Sequence, residues 1–243
     1  MRCSSGVERW THNPEGVGAI PTIRNQHMNF LKLKNKFKMN NLQLLENNIL
    51  EKYNSYDEVS KTERGISYYD INLQDVKEIY DIIPKKYQNN FFGSVMNMNF
   101  PIPPHIDDLN VKTTINFYIK TDNCITQFYK PNKNAREYRI DSQTTGCFFN
   151  ANDLIQDNSF VAEDDDAFIL DVTIPHAIWP LEPTNWPEKI NINNFHPYLM
   201  ESLKNKNSNH SNIWPDRNAY CMRTNKYYFK EVCDMLKETG NLI

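Results

Sequence analysis

The segment PPHIDDLN, residues 103–110, brings an imidazole and two carboxylates close together in the chain. Side chains alternate along an extended strand, so His105 and Asp107 point to the same face while Asp108 points to the other. A histidine and a carboxylate at positions i and i+2 can therefore bind one metal ion from one side. The pair is only a fragment of a site, because a metal centre needs at least one further ligand from elsewhere in the chain.

The third ligand is best sought among the six histidines of the chain. His12 and His27 lie in a leader without periodicity, and His210 lies in an asparagine-rich stretch. His196 follows the β-type run KININNF and precedes a proline, where the β pattern stops. His176 is favoured, because it opens a strand after the apolar run AFILDV and a short bend. Two histidines and one carboxylate that leave other coordination positions open suit non-haem Fe(II).

This order of residues resembles that of the 2-oxoglutarate and Fe(II)-dependent dioxygenases. That family has an HxD motif, a distal histidine several strands later, and a basic residue on the next strand that binds the far carboxylate of 2-oxoglutarate. The resemblance covers roughly residues 91–195. It implies that His105, Asp107 and His176 bind iron, and that Lys189, in the run EKINI, binds 2-oxoglutarate.

The basic residue departs from the family pattern, which most often has arginine at that position. A lysine keeps the charge but loses the two-pronged hydrogen bonding of a guanidinium. Some members use a lysine on the strand after HxD, and Lys120 is the alternative because it is in phase with Asn116 and Tyr118. Asn116 is a further candidate for binding the cosubstrate, although an inward asparagine that bonds the backbone is equally expected. Taken alone, Lys189 also fits a surface lysine on an edge strand.

The resemblance implies an oxygenase that hydroxylates a substrate while 2-oxoglutarate is converted to succinate and carbon dioxide. No motif identifies the substrate, which is a small molecule or an amino-acid or protein side chain. Two other functions remain open. A cupin-like metal enzyme without 2-oxoglutarate needs no buried cation opposite the metal, and in a non-catalytic jelly-roll binding or structural protein the histidines need not meet. A zinc hydrolase is disfavoured, because the helical HExxH spacing is absent from the sequence.

The hydrophobic pattern predicts a mainly β protein, with a double-stranded β-helix (jelly-roll) core and flanking N-terminal and C-terminal helices. Residues 41–53 and 73–84 have helical spacing, and a third helix is predicted near residues 227–236. The polar C-terminal segment, with Arg217 and Arg223, is predicted to supply a lid over the substrate. Short β-type runs without intervening helices are typical of a sandwich or barrel. They are FFGSVMNMNF, VKTTINFYI, CITQFYK, TTGCFFN, DAFILDV, HAIWPL and KININNF, and a separate short strand, GISYYDINL, precedes the helix over residues 73–84.

Composition limits the environment and the partners of the chain. A net charge of −3 argues against general nucleic-acid binding or attachment to anionic membranes, and no apolar run is long enough for a membrane span. Five scattered cysteines without CxxC spacing predict reduced thiols in a cytoplasmic setting. Residues 1–27 are predicted to be a disordered or spurious leader, with the functional start at Met28 or Met39. Residues 28–243 are predicted to form a single jelly-roll oxygenase domain with its core at about residues 91–195.

Overall fold

A computed structural model of the chain describes residues 28–37, 66–98, 102–107, 110–121, 124–138, 147–180 and 217–242. The described residues form twelve strands and two α-helices. The strands are β1 (Phe30–Lys32), β2 (Ile66–Ile71), β3 (Phe92–Met98), β4 (Ile102–Ile106), β5 (Thr113–Lys120), β6 (Cys124–Pro131), β7 (Glu137–Tyr138), β8 (Cys147–Phe149), β9 (Leu154–Val161), β10 (Ala167–Asp171), β11 (His176–Pro180) and β12 (Arg217–Thr224). The helices are α1 (Lys77–Tyr80) and α2 (Phe229–Glu238).

The strands form two six-stranded antiparallel sheets, as the predicted jelly-roll core requires. Sheet A has the strand order β1-β10-β5-β12-β3-β2, and sheet B has the order β7-β8-β4-β11-β6-β9. Successive strands β4, β5 and β6 lie in sheets B, A and B, so the chain crosses between the sheets. The mainly β fold and the jelly-roll core are therefore confirmed.

Sheet A is buried on both faces, and strand alternation separates its side chains into two cores. On β5, Ile115 and Phe117 point away from sheet B, whereas Tyr118 points towards it. The outer core lies between sheet A and the helices and includes Leu73, Val76, Ile79, Ile83, Val95, Ile115, Phe117, Ile169, Tyr220, Met222, Val232 and Leu236. The inner core lies between the two sheets and includes Met96, Tyr118, Phe128, Phe160, Phe168, Leu170, Val172, Ala219 and Cys221.

The segment predicted as one helix over residues 73–84 is shorter and divided in the structure. A 3-10 turn covers Leu73–Asp75, and α1 follows after Val76, whose φ of −127° and ψ of 63° interrupt the helix. The apolar side chains nevertheless face the outer core at helix-like intervals, which explains the periodicity that suggested a longer helix. The C-terminal helix α2 is confirmed close to its predicted position, and the Glu231 carboxylate accepts from the backbone N–H of Tyr228 at 2.8 Å to cap its first turn.

β12 and β9 are among the strands of the structure that were not predicted from the sequence. β12 lies at the centre of sheet A, between β5 and β3, where a polar lid was predicted. β9 is an edge strand of sheet B with an exposed polar face, so its alternation is faint in the sequence. β4 contains two prolines, which are uncommon inside a strand, but the extended conformation of the chain around His105 was predicted.

Several predictions concern residues that the structure does not describe. These are the leader over residues 1–27, the helix over residues 41–53, the strand KININNF and the asparagine-rich stretch near residue 207. The division into a leader and one domain over residues 28–243 stays a prediction. Within the described ranges, no helix has both the length and the apolar character needed to cross a membrane.

Candidate metal centre

The HxD motif lies at the end of β4, beside β11 in sheet B. Pro103 and Pro104 occupy the middle of β4, and neither can donate a hydrogen bond to a neighbouring strand. The register between β4 and β11 shifts at this point, which is where a β-bulge accommodates prolines. Beyond the shift, His105 stands directly opposite His176. The irregular strand thus brings two histidines that are distant in sequence into a facing pair.

A tight turn positions the second histidine. The Asp171 carboxylate accepts from the backbone N–H of Thr173 at 3.1 Å and from its hydroxyl at 2.6 Å, which closes an Asx-type turn after β10. The backbone N–H of Ile174 donates to the Asp171 carbonyl at 3.4 Å. This turn carries the chain from sheet A to sheet B, so that His176 begins β11 at the edge of the inner core.

Both imidazole rings are oriented by the same kind of backbone contact. His105 Nδ1 lies 2.7 Å from the carbonyl oxygen of Pro103, and His176 Nδ1 lies 3.0 Å from that of Ile174. Because a carbonyl can only accept, Nδ1 is the donor in each ring, and the lone pair of a neutral ring is then on Nε2. A backbone partner on the other ring nitrogen is the usual support of a metal-binding histidine.

The three predicted ligands meet at one point. Asp107 Oδ1 lies 3.4 Å from His105 Nε2 and 3.6 Å from His176 Nε2. The imidazole centroids are 4.4 Å apart, and the candidate ligand atoms of all three residues lie within 4.8 Å of one another. Ligand atoms bound to one ion at about 2.1 Å are roughly 3 to 3.5 Å apart, so only small movements would close the site on a metal. Asp108 lies outside the described residues.

The protonation states of this group favour metal binding at neutral pH. Burial and the neighbouring His105 lower the pKa of His176 to about 4, although the charge of Asp107 opposes them. Burial would raise the pKa of Asp107, but the contact with His105 and the nearby positive charges hold this pKa below its usual value. His176 is therefore neutral and Asp107 ionised at pH 7, which are the forms that bind metals.

The three residues form one wall of a cavity between the two sheets. The empty space between the lining side chains, together with open solvent at its mouth, amounts to about 420 Å³. The facing wall belongs to β5 and β12 and carries Thr114, Asn116, Arg217, Cys221 and Arg223. Burial raises the pKa of the Cys221 thiol to about 11, so this residue is a neutral side chain at pH 7.

Arg217 is the most unusual residue of the cavity. It is only 1% exposed, and its Nη2 donates to the Tyr118 hydroxyl at 2.6 Å and to the Thr126 hydroxyl at 2.9 Å. Its guanidinium lies over the Tyr118 ring, 4.6 Å from the centroid. Nε and Nη1 are buried and have no hydrogen-bond partner among the described residues. A buried guanidinium is costly without an anion, so this arrangement points to a bound carboxylate or a similar group.

Of the three residues predicted to bind the cosubstrate, the structure describes Asn116 and Lys120 but not Lys189. Asn116 lines the cavity and donates weakly to the Tyr118 hydroxyl at 3.4 Å, while its Oδ1 is buried without a hydrogen-bond partner among the described residues. Lys120 is exposed at the end of β5 and does not line the cavity, so the structure gives no support to it as the 2-oxoglutarate anchor. Lys189 lies outside the described residues, and its role stays a prediction.

Sequence reasoning missed Arg217 and Arg223 as parts of the cavity and assigned them to a lid. A signal was present in RNAYCMRT, where the small Ala219 and Cys221 alternate with the larger Tyr220 and Met222 in the middle of the eight-residue strand. Arginines at both ends made this run look polar. Its position after a long polar stretch also hid the fact that it returns to the centre of sheet A.

Comparisons with known proteins reveal only distant similarity. No protein family profile matches the chain, and no curated protein is similar to it in sequence. Among solved structures, the chain is similar to vicilin from Corylus avellana (hazelnut), at 12% identity and a TM-score of 0.31, over 70% of this chain and 32% of that one. It is similar to oxalate oxidase in complex with the substrate analogue glycolate, at 10% identity and a TM-score of 0.31, over 69% and 55%.

A third similar structure is the formate complex of oxalate decarboxylase from Lactobacillus farciminis, at 6% identity and a TM-score of 0.30, over 74% of this chain and 40% of that one. The chain thus spans between about a third and about half of the length of these three proteins. At these TM-scores the similarity assigns neither a family nor an activity.

Proposed function

We propose that the protein is an Fe(II)- and 2-oxoglutarate-dependent oxygenase that hydroxylates a substrate with release of succinate and carbon dioxide. The observation that carries this proposal is the buried Arg217, which lines the same cavity as His105, Asp107 and His176. A metal-binding group and a buried cation in one cavity are what a metal-chelating dicarboxylate requires.

The chemistry of the donor set fits ferrous iron. Two imidazoles and one carboxylate from one wall leave positions open for a cosubstrate and for oxygen, a set typical of non-haem Fe(II) oxygenases. When bound, iron would let molecular oxygen act as the oxidant, with two electrons supplied by the decarboxylation of 2-oxoglutarate and two by the C–H bond that is hydroxylated. The protein's own residues would hold the metal through His105 Nε2, His176 Nε2 and Asp107, and would limit the access of water, because His176 is only 4% exposed.

The environment of Arg217 fits the far carboxylate of 2-oxoglutarate. Tyr118 and Thr126 fix one side of the guanidinium, so its remaining N–H groups are presented in a defined direction. A carboxylate that accepts from two of them would satisfy the buried donors and neutralise the buried charge. The apolar side chains of Ile102 and Ile178 in the cavity lining would surround the methylene groups of the cosubstrate.

The two alternative functions fit these observations less well. A cupin-like metal enzyme without 2-oxoglutarate would use a buried arginine in the cavity of the metal-binding group only if its own substrate were an anion. A non-catalytic jelly-roll protein gives no reason for two buried histidines to face each other with a carboxylate 3.4 Å and 3.6 Å from their Nε2 atoms. The substrate remains a small molecule or an amino-acid or protein side chain, and a cytoplasmic location remains a prediction.

The proposal is tested by succinate formation from 2-oxoglutarate with added Fe(II), measured as a function of 2-oxoglutarate concentration. We expect slow succinate release even without a known substrate, and none in Asp107→Ala, which loses a metal ligand. Arg217→Met should raise the 2-oxoglutarate concentration needed for half-maximal rate by about tenfold or more, because it removes a charge-assisted pair. The matched variant Lys189→Met should have little effect.

Two results would contradict the proposal in different ways. If iron binds but no succinate forms at any 2-oxoglutarate concentration, the protein is not an oxygenase of this type. If Lys189→Met raises the 2-oxoglutarate requirement and Arg217→Met does not, the oxygenase assignment survives, and Lys189 is the anchor.

A further inference from the structure

β12 carries a second arginine towards the metal-binding group. Arg217 and Arg223 are six residues apart on a strand whose pairing with β3 is regular, so both side chains leave the same face. The residues between them on that face are the small Ala219 and Cys221. A separation of six residues is roughly 20 Å along an extended strand, and both arginines line the same cavity. The two arginines therefore start from opposite ends of the part of β12 that lines the cavity.

The two arginines differ in exposure, and this difference gives the cavity a direction. Arg217 is fully buried, whereas Arg223 is half-buried. Among the metal-binding residues, the side chain of Asp107 is the most exposed, at 20%, compared with 11% for His105 and 5% for His176. Arg217 therefore belongs to the closed end, while Arg223 belongs to the end through which a substrate would enter.

Arg223 is held in place before any ligand binds. Its Nη2 donates to the hydroxyl of Ser94, which is completely buried on the neighbouring strand β3. Its guanidinium lies over the ring of Phe92, 5.6 Å from the centroid. A guanidinium with a fixed orientation loses less side-chain freedom when it binds a ligand than a mobile one does.

We propose that Arg223 binds a carboxylate group of the primary substrate, which is therefore a small carboxylate-bearing molecule. This inference rests on the proposed function, in which Arg217 holds 2-oxoglutarate at the closed end. The planar fork of a guanidinium matches the two oxygens of a carboxylate, and a half-buried position strengthens the pair relative to an exposed one. With its carboxylate on Arg223, the substrate would extend into the cavity towards Asp107 and the metal.

The position of Arg223 also separates the two anions. 2-Oxoglutarate would occupy the path from the metal-binding group to Arg217, and the substrate would occupy the path from the mouth to the metal-binding group. Arg223 is thus a specificity-determining residue in the proposal. A substrate without an anionic group would not form the charge-assisted pair with Arg223 and should bind more weakly.

The experiment uses the full chain saturated with Mn(II) and 2-oxoglutarate without oxygen, with propionate and propionamide as probes of equal size. Mn(II) broadens the proton NMR signals of molecules that bind close to it, so the readout does not depend on activity. We expect propionate to be broadened more than propionamide by wild-type protein. Arg223→Gln should lower the propionate affinity by about tenfold, because a charge-assisted pair is lost.

Two further variants make the result specific. Arg223→Lys keeps the charge but loses the planar fork, so its propionate affinity should lie between those of wild type and Arg223→Gln. Lys226→Gln removes an exposed cation that does not line the cavity, so this control should bind propionate like wild type. Arg223→Lys also tests the inference if Arg223→Gln does not fold. Propionate binding as strong as in wild type would then show that the planar guanidinium of Arg223 does not pair with the carboxylate.

The inference is overturned if wild-type protein binds the amide as well as the acid, or if Arg223→Gln binds propionate as wild type does. Calorimetry of 2-oxoglutarate binding to the same Mn(II)-loaded samples tests the proposed function separately. Absence of 2-oxoglutarate binding would refute that function, while preferential broadening of propionate that depends on Arg223 would still support a carboxylate site at the mouth.

Discussion

At the scale of single residues, the site depends on how each functional side chain is oriented. His105 and His176 are both fixed by a carbonyl two residues earlier in the chain, and each contact is local. The i, i+2 spacing predicted that His105 and Asp107 act together, and His176 was added because it opens a strand and because the order of the three residues resembles the pattern of a known family. Arg217 could not be found in this way, because its partners Tyr118 and Thr126 lie 99 and 91 residues away in the sequence.

The depressed pKa of His176 predicts how the stability of the metal-free protein depends on pH. In the unfolded chain this histidine takes up a proton near pH 6.5, but in the folded protein only near pH 4. Between these values the unfolded state binds more protons, so the free energy of unfolding should fall as the pH is lowered. The full shift corresponds to at most about 3 kcal/mol. Urea unfolding between about pH 7 and about pH 4.5 measures the slope.

The matched variant for this prediction is His176→Gln, which keeps a polar side chain of similar size without a titrating ring. Its free energy of unfolding should depend less steeply on pH than that of wild type over the same interval. An equal pH dependence of the free energy of unfolding in the two proteins would show that folding does not lower the pKa of His176.

At the scale of elements, strand positions were predicted best where apolar and polar residues alternate clearly. They were predicted worst where one strand carries both apolar core residues and charged cavity residues. β5, β6, β10 and β11 were placed correctly, because each has apolar residues at regular intervals. β12 was not placed correctly, because its apolar centre is flanked by two arginines that line the cavity. Charged residues inside a buried strand are unfavourable for folding, so their presence there indicates function.

Gly93 shows how closely β3 and the preceding segment pack. A Cβ atom at this position would lie 2.6 Å from Leu73 Cδ2, 2.8 Å from Leu73 Cγ and 2.9 Å from Ile71 Cγ1. Gly93→Ala should therefore lower the free energy of unfolding by about 1 to 3 kcal/mol through overpacking. Chemical denaturation of the metal-free protein measures the change.

A double variant checks the cause of this destabilisation. Leu73→Ala removes the side-chain atoms nearest to the added methyl group, so Gly93→Ala should cost less in that background than in wild type. If the two effects simply add, the destabilisation does not come from a clash with Leu73.

At the scale of the whole molecule, sheet A separates the outer core from the inner core. The outer core joins the sheet to α2 and to the 3-10 turn and α1, and the inner core surrounds the cavity with the metal-binding group. The sequence predicted the jelly roll itself, because strand alternation is visible locally. It could not predict which strands face each other across the cavity, because strand order depends on contacts between distant segments.

This separation predicts that a defect in the outer core will weaken the fold without changing the metal site. Leu236 of α2 is completely buried in the outer core, so Leu236→Ala should lower the free energy of unfolding by about 2 to 5 kcal/mol. The exposed neighbour Lys237 offers a matched control, because Lys237→Ala should change stability by no more than about 0.5 kcal/mol. Mn(II) affinity, measured by calorimetry at a temperature where all three proteins are folded, should be the same in each. A lower affinity in Leu236→Ala alone would mean that the outer core acts through sheet A on the positions of the metal ligands, and that the two environments are coupled.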